Sequence, residues 1–171
     1  MTHNLMSKFP RINDLEKVAS KKIPPFIHAY LAAGTGSGNT MARNRRALDE
    51  ITFTPELMHG HFTPNLETKF LGKSYALPFG VAPIGLSSMI WPLSEHYLSE
   101  MATRLKIPYA LSTVAGASIE DIGEKCKGYG WFQLYAPHNR DITFSLLDRA
   151  ENADMGVLVV TGDVPAPSRR E

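Results

Sequence analysis

The chain has 171 residues, of which 43% are hydrophobic, and this is enough for a domain with an apolar core. Its 18 basic and 17 acidic residues give a formal net charge of +1, so nothing in the charge favours a nucleic acid or an anionic membrane as partner. The single cysteine, Cys126, excludes an internal disulfide and a cysteine-based zinc site. Without a signal-peptide pattern or a membrane-spanning apolar run, we expect a cytoplasmic protein, with peripheral membrane association left open.

The first part of the chain, residues 1–65, predicts an N-terminal helical segment with irregular connections. The stretch "NDLE" is typical of a helix start, with Asn13 as its cap. The stretch "PPFIHAYLAAG" (24–34) predicts a second helix, since prolines open it and a glycine closes it. A third helix is predicted around 40–50.

From residue 79 onward, short apolar runs alternate with helical patterns. Strands are predicted near 79–82, 108–112, 130–135 and 156–161. The first intervening helix has an apolar stripe at Leu98, Met101, Ala102 and Leu105, and the next two are opened by Ser118 and Asn139. One helix per crossover requires parallel strands, so we predict an α/β fold with a parallel sheet.

Polar or small residues recur where each predicted strand ends. The four exits are Pro83-Ile84-Gly85, Ser112-Thr113, Gln133-Leu134-Tyr135 and Thr161-Gly162-Asp163. Parallel barrels and open α/β sheets build their active sites at this end of the strands. The alternative is that these loops begin with polar residues by chance.

Six stretches in order give the sequence a resemblance to one enzyme family. They are "KIPPFIHAYLAAG", "ARNRRALDEITFTP", "FLGKSYALPFGVAPIGL", "ALSTVAGASIEDI", "WFQLY" and "TGDVPAPSRRE". From about residue 11 to 171 the chain resembles the FMN-dependent 2-hydroxy acid dehydrogenase/oxidase family, which includes glycolate oxidase, L-lactate dehydrogenase and mandelate dehydrogenase. The resemblance implies a TIM (β/α)8 barrel with FMN as cofactor, of which residues 66–171 hold about the first four units.

The resemblance also implies site residues. The backbone of the segment 82–85 (Ala82, Pro83, Ile84, Gly85) would lie along the flavin ring, and Ser112, Gln133 and Thr161 would hydrogen-bond its edge. Tyr30 would bind the substrate carboxylate, Tyr135 would contact the substrate near its reacting carbon, and Arg170 would lie on the substrate side. Asp163 would orient the catalytic histidine of the family.

Each of these residues also has a structural interpretation. Tyr30 fits the polar tip of an apolar helix face, Ser112 a cap, and Asp163 an Asx turn, while Gln133 and Tyr135 fit ordinary strand alternation. Two positions depart from the family pattern, Val114 and Gly162, and none of the six histidines matches the histidine base of the family. The pair of histidines in "HGH" (59–61) lacks a third ligand nearby, so we expect no metal.

The resemblance implies FMN-dependent oxidation of an L-2-hydroxy acid, of lactate, glycolate or mandelate type, to the 2-oxo acid. It covers only the N-terminal half of the family's fold, so we expect a fragment that is inactive alone, with a homo-oligomer for the complete enzyme. The alternative is a non-catalytic half-barrel that acts as a binding or self-associating module. The acid and the electron acceptor, whether oxygen, a quinone or a cytochrome, stay open.

Overall fold

A computed structural model describes residues 7–58 and 60–162, which belong to two compact units. Among the residues described in the first unit, three helices have bounds: α1 (Ile12–Lys22), α2 (Pro25–Ala32) and α3 (Asn39–Asp49). None of the three buries a side chain completely. All three predicted helices are therefore present.

The start of α1 differs from the prediction. The cap is Arg11 rather than Asn13, and Arg11 forms a reciprocal pair with Asp14, whose carboxylate accepts the Arg11 backbone N–H at 3.2 Å. The guanidinium of Arg11 also donates to this carboxylate at 3.0 Å. An acid three residues after the cap still satisfies a backbone donor at the helix start, but both residues lie two positions earlier than "NDLE" indicated.

The second unit opens with an antiparallel hairpin that the sequence analysis missed, formed by β1 (Thr68–Phe70) and β2 (Lys73–Tyr75). Its two turn residues, Leu71 and Gly72, both have positive φ, at 47° and 80°. This is the backbone of a type I′ turn, in which asparagine or aspartate usually stands where Leu71 is. The usual sequence signal of such a hairpin is therefore missing.

The rest of the second unit alternates helices with parallel strands. In chain order these elements are α4 (Ser87–Ile90), α5 (Ser94–Arg104), β3 (Tyr109–Ser112), α6 (Ile119–Cys126), β4 (Gly130–Leu134), α7 (Arg140–Asn152) and β5 (Val157–Val160). The sheet order is β3-β4-β5, and both pairings are parallel. Successive strands are neighbours with one helix between them, as in the first units of a parallel barrel, and the described residues form no closed barrel.

The first predicted strand, 79–82, is reduced to a single parallel bridge between Val81 and Tyr109. Prolines at 78 and 83 on either side of the segment cannot donate ladder hydrogen bonds. Gly80 lies so close to the neighbouring backbone that an added Cβ would meet the Pro108 carbonyl oxygen at 2.7 Å. The predicted parallel orientation is correct, but the pairing is limited to one residue, Val81.

One face of the sheet packs against α6 and α7. Phe132 and Leu111 in the strands are 1% exposed, and Ile122 and Cys126 on α6 are fully buried. Burial raises the pKa of the Cys126 thiol to about 12, so this cysteine is a core residue. The helical caps are as predicted: the Ser118 hydroxyl accepts the Asp121 N–H, and Asn139 caps α7 in the same way.

The other face of the sheet meets the hairpin at the amino ends of the strands. The indole N–H of Trp131 donates to the Tyr75 hydroxyl at 3.0 Å, and its ring stacks on Phe70 with centroids 5.8 Å apart. A cavity of about 380 Å³ lies beside this contact, and its lining is mostly apolar. The lining also includes Ala82 and Pro83, so this cavity adjoins the segment 82–85.

The apolar stripe predicted on α5 is only partly correct. Met101 and Leu105 are 48% and 46% exposed, whereas Glu95, Ser99 and Ala102 are buried. The buried face of this helix is therefore largely polar, which requires hydrogen-bond partners inside the protein.

Candidate functional site

Three polar side chains form a hydrogen-bonded row at the carboxyl ends of the strands. The Ser112 hydroxyl donates to Gln133 Oε1 at 3.0 Å, and Gln133 Nε2 donates to Thr161 Oγ1, also at 3.0 Å. Ser112 is 5% and Gln133 3% exposed. The residues come from β3, β4 and the residue just past β5, so the parallel register brings together side chains that are far apart in sequence. The row spans two strand spacings, or about 10 Å.

Thr113 joins the ends of β3 and β4 next to this row. Its hydroxyl donates to the Gln133 backbone carbonyl at 2.6 Å and accepts the Tyr135 backbone N–H at 3.0 Å. The backbone of Tyr135 is thereby held although its side chain is 42% exposed. The sequence pattern places Thr113 at a strand exit but does not predict this role, because a hydroxyl that bonds to a neighbouring strand leaves no local signal.

The backbone segment 82–85 follows the Val81 bridge and borders the row. Ile84 is 44% exposed, and a Cβ on Gly85 would meet Val114 Cγ2 at 2.8 Å and Ser112 Oγ at 3.9 Å. The Leu86 N–H donates to the Val114 carbonyl at 2.9 Å. The segment is therefore fixed close to the end of β3, with accessible residues facing outward.

A buried carboxylate, Glu95, contacts Ser88, which follows this segment in the chain. It accepts hydrogen bonds from the Ser88 and Gly116 backbone N–H groups, each at 3.1 Å, and from the Ser88 hydroxyl. Burial disfavours its ionised form, but these hydrogen bonds outweigh that and lower its pKa to about 2. No sequence pattern singles out this glutamate, since acidic residues in the first turn of a helix are common.

The remaining candidates are placed as follows. Tyr30 lies on α2 in the first unit and is 55% exposed. Asp163 and Arg170 lie outside the described residues. Of the two departures from the family pattern, Val114 is 45% exposed beside Gly85, and Gly162 is exposed with open space where a Cβ would stand.

Two absences hold for residues 7–58 and 60–162. They contain no cluster of three or more histidine, cysteine or acidic side chains able to hold a metal ion. Nor does any helix among them have the length and apolarity needed to cross a membrane.

The hydrogen-bonding groups of these residues fit the edge of the FMN ring. A flavin edge carries carbonyl acceptors and an N–H donor, and the row of Ser112, Gln133 and Thr161 offers both hydroxyl and amide groups to match. The hydrogen bonds within the row hold its side chains in place, and no buried side-chain nitrogen or oxygen in the described part of the chain lacks a partner. Gly85 places the segment 82–85 beside the row, since an added Cβ there would lie 3.9 Å from Ser112 Oγ.

The relatives of this chain include two dehydrogenases. The chain is 32% identical over 171 residues to (S)-mandelate dehydrogenase from Pseudomonas putida, and 31% identical over 158 residues to L-lactate dehydrogenase from Azorhizobium caulinodans. These alignments cover 100% and 92% of this chain but 42% of each relative. The chain thus spans less than half the length of these relatives.

Solved structures agree with the sequence relatives. A mandelate oxidase structure superposes with a TM-score of 0.87 at 31% identity, over 95% of this chain and 49% of that one. A soluble mutant of the membrane-associated (S)-mandelate dehydrogenase from Pseudomonas putida gives 0.86 at 32% identity, over 92% and 45%. Residues 19–171 match the family model of FMN-dependent dehydrogenases, and the chain therefore belongs to this family.

Proposed function

We propose that this chain supplies the ring-binding part of an FMN-dependent enzyme that oxidises an L-2-hydroxy acid to the 2-oxo acid. The observation that carries the proposal is the row of Ser112, Gln133 and Thr161 beside the backbone segment 82–85. FMN, when bound, accepts the two electrons that leave the substrate. The row would hold the ring edge by hydrogen bonds, and the segment 82–85 would pack along its face.

Family membership supports substrate contacts for three residues and a positioning role for a fourth. Tyr30 would bind the carboxylate of the acid, and Arg170 would add positive charge on the substrate side. Tyr135 would hydrogen-bond the substrate near its reacting carbon, and the Thr113 contact to its backbone supports this by limiting its movement. Asp163 would orient a histidine base and stabilise the imidazolium that forms when the base takes the hydroxyl proton.

We further propose the larger organisation in which these residues act. Residues 1–65 would form an N-terminal helical segment, and residues 66–171 the first four units of a (β/α)8 barrel. The complete enzyme would be a cytoplasmic or peripherally membrane-associated homo-oligomer. The parallel order β3-β4-β5 supports the barrel, since consecutive strands of a barrel are neighbours.

Binding of the ring is tested by nuclear magnetic resonance on the ¹⁵N-labelled chain, because this method detects weak binding. FMN added to residues 1–171 should shift the amide signals of Gly85, Thr113 and Gln133, and Gln133→Leu should abolish these shifts. Ile122→Val, a core change away from the row, should leave them unchanged. A chain that self-associates and shows no FMN-dependent shifts would favour the alternative of a non-catalytic binding module.

Catalysis is tested in a hybrid in which residues 1–171 replace the corresponding part of (S)-mandelate dehydrogenase from Pseudomonas putida. Anaerobic bleaching of the flavin by L-lactate, glycolate or (S)-mandelate should identify the acid that is oxidised. Tyr30→Phe and Tyr135→Phe should each raise the substrate KM about tenfold, by loss of one hydrogen bond to a charged or reacting group, with flavin content unchanged. Tyr97→Phe, on the exposed face of α5, is the matched control and should change neither.

A further inference from the structure

Glu95 is a completely buried carboxylate that the proposed chemistry does not use. It is 0% exposed, and it is the second residue of α5. Its oxygens accept from the Ser88 N–H at 3.1 Å, the Ser88 hydroxyl, the Gly116 N–H at 3.1 Å and the Ser94 hydroxyl at 3.3 Å. The four donors belong to three separate places in the chain.

No ion pair compensates this charge in the described part of the chain; the salt bridges found there involve other acids. A buried carboxylate without a cation is unfavourable unless hydrogen bonds replace its hydration. Backbone and hydroxyl donors therefore bind the Glu95 carboxylate inside the protein in the way that an anion-binding site binds a free anion. An apolar residue in its place would leave the Ser88 and Gly116 N–H groups without this acceptor.

The donors identify what Glu95 holds together. Ser88 belongs to α4, which directly follows the segment 82–85, and Gly116 lies in the loop after β3. Gly116 lies close to Ser88, as shown by the distance of 3.0 Å that a Cβ on Gly116 would have to Ser88 Cβ. Nearer the row, a Cβ on Gly85 would meet Val114 Cγ2 at 2.8 Å.

We propose that Glu95 is a positioning residue that holds the segment 82–88 against the loop 113–117 and so keeps the ring-facing backbone in place before FMN binds. The identity of the ligand rests on the proposed function. The ordering of the two loops is independent of the proposed function, since it follows from hydrogen bonds within the chain. Glu95 would act through Ser88 and Gly116, without contact to the ring.

The test uses Glu95→Gln, which keeps the shape but places an amide N–H₂ against backbone donors. Ser88→Ala is the second variant; it removes one donor and keeps the carboxylate, and so serves if Glu95→Gln does not fold. Ile122→Val is the control, because it removes one carbon from the core and none of the hydrogen bonds to Glu95. Amide hydrogen exchange and FMN titration are followed in the ¹⁵N-labelled chain.

Glu95→Gln should accelerate exchange about tenfold at Ser88 and Gly116, with the core amides of Leu111 and Phe132 unchanged. It should also weaken FMN binding at least about threefold at a temperature where the variant is folded, whereas Ile122→Val should not. Uniform acceleration across the core, or none at all, would overturn the positioning role. If the unsubstituted chain shows no FMN-dependent shifts, the proposed function fails, and the exchange pattern still decides whether Glu95 orders the loops.

Discussion

Replacing Gln133 with leucine removes the centre of the polar row while keeping most of the side-chain volume. Two hydrogen bonds to side-chain hydroxyls are lost, the one accepted from Ser112 and the one donated to Thr161, together with the longer one that Gln133 Oε1 accepts from the Thr113 N–H at 3.3 Å. The Thr113 N–H keeps a partner, because it also donates to the Gln133 backbone carbonyl at 3.0 Å. At about 1 kcal/mol for each bond, Gln133→Leu should lower the free energy of unfolding by about 2 kcal/mol. For a chain of this length that corresponds to a decrease in Tm of about 4–8 °C.

A double-mutant cycle with Ser112→Ala isolates one of these bonds. Urea unfolding of the four proteins, followed by circular dichroism, should give a coupling energy of about 1 kcal/mol between Ser112 and Gln133. The pair Ser112→Ala and Ile122→Val shares no partner and should be additive to within about 0.3 kcal/mol. A Ser112–Gln133 coupling no larger than this control would refute the row as a stabilising unit.

Three further outcomes are expected. Gly123→Ala should lower the free energy of unfolding by about 1–3 kcal/mol in urea, since its Cβ would meet the Ala153 carbonyl oxygen at 2.3 Å, whereas Gly156→Ala, with open space at its Cβ, should change it little. Because hydrogen bonds lower the pKa of Glu95, its contribution to stability should be complete above pH 4.5 and lost as the pH falls towards 2; Glu95→Gln should flatten that limb of the unfolding profile. Cys126, buried and with its pKa raised to about 12, should react with a thiol reagent only after unfolding, and rapid labelling of the native chain would contradict its core position.

The parts of the fold that depend on local sequence were predictable. Ser118 and Asn139 each cap a helix through a hydroxyl or amide within three residues, so the signal and the contact coincide in the chain. The three strands β3, β4 and β5 are short apolar runs between such helices. Their direction followed from the crossover helices.

The parts of the fold that depend on contacts between residues distant in sequence were not predictable. The hairpin was missed because Leu71 occupies a turn position that usually carries asparagine, and its strands are stabilised by Trp131 more than fifty residues later. Glu95 resembles an ordinary acidic residue at a helix start, and only the three-dimensional structure brings Ser88 and Gly116 to it. The row itself was anticipated through family resemblance, but its internal hydrogen bonds were not.

The contact between Trp131 and the hairpin has a consequence for the opposite end of the same strand. Trp131 and Gln133 are two residues apart on β4 and so lie on the same face of the sheet. A slip of β4 by one residue would turn both side chains towards the helices, and a slip of two would put an indole where the amide of the row belongs. The hydrogen bond to Tyr75 and the stack on Phe70 oppose both movements. The hairpin thus fixes the register of β4 at its amino end, and this register determines the alignment of the polar row at the other end of the strand.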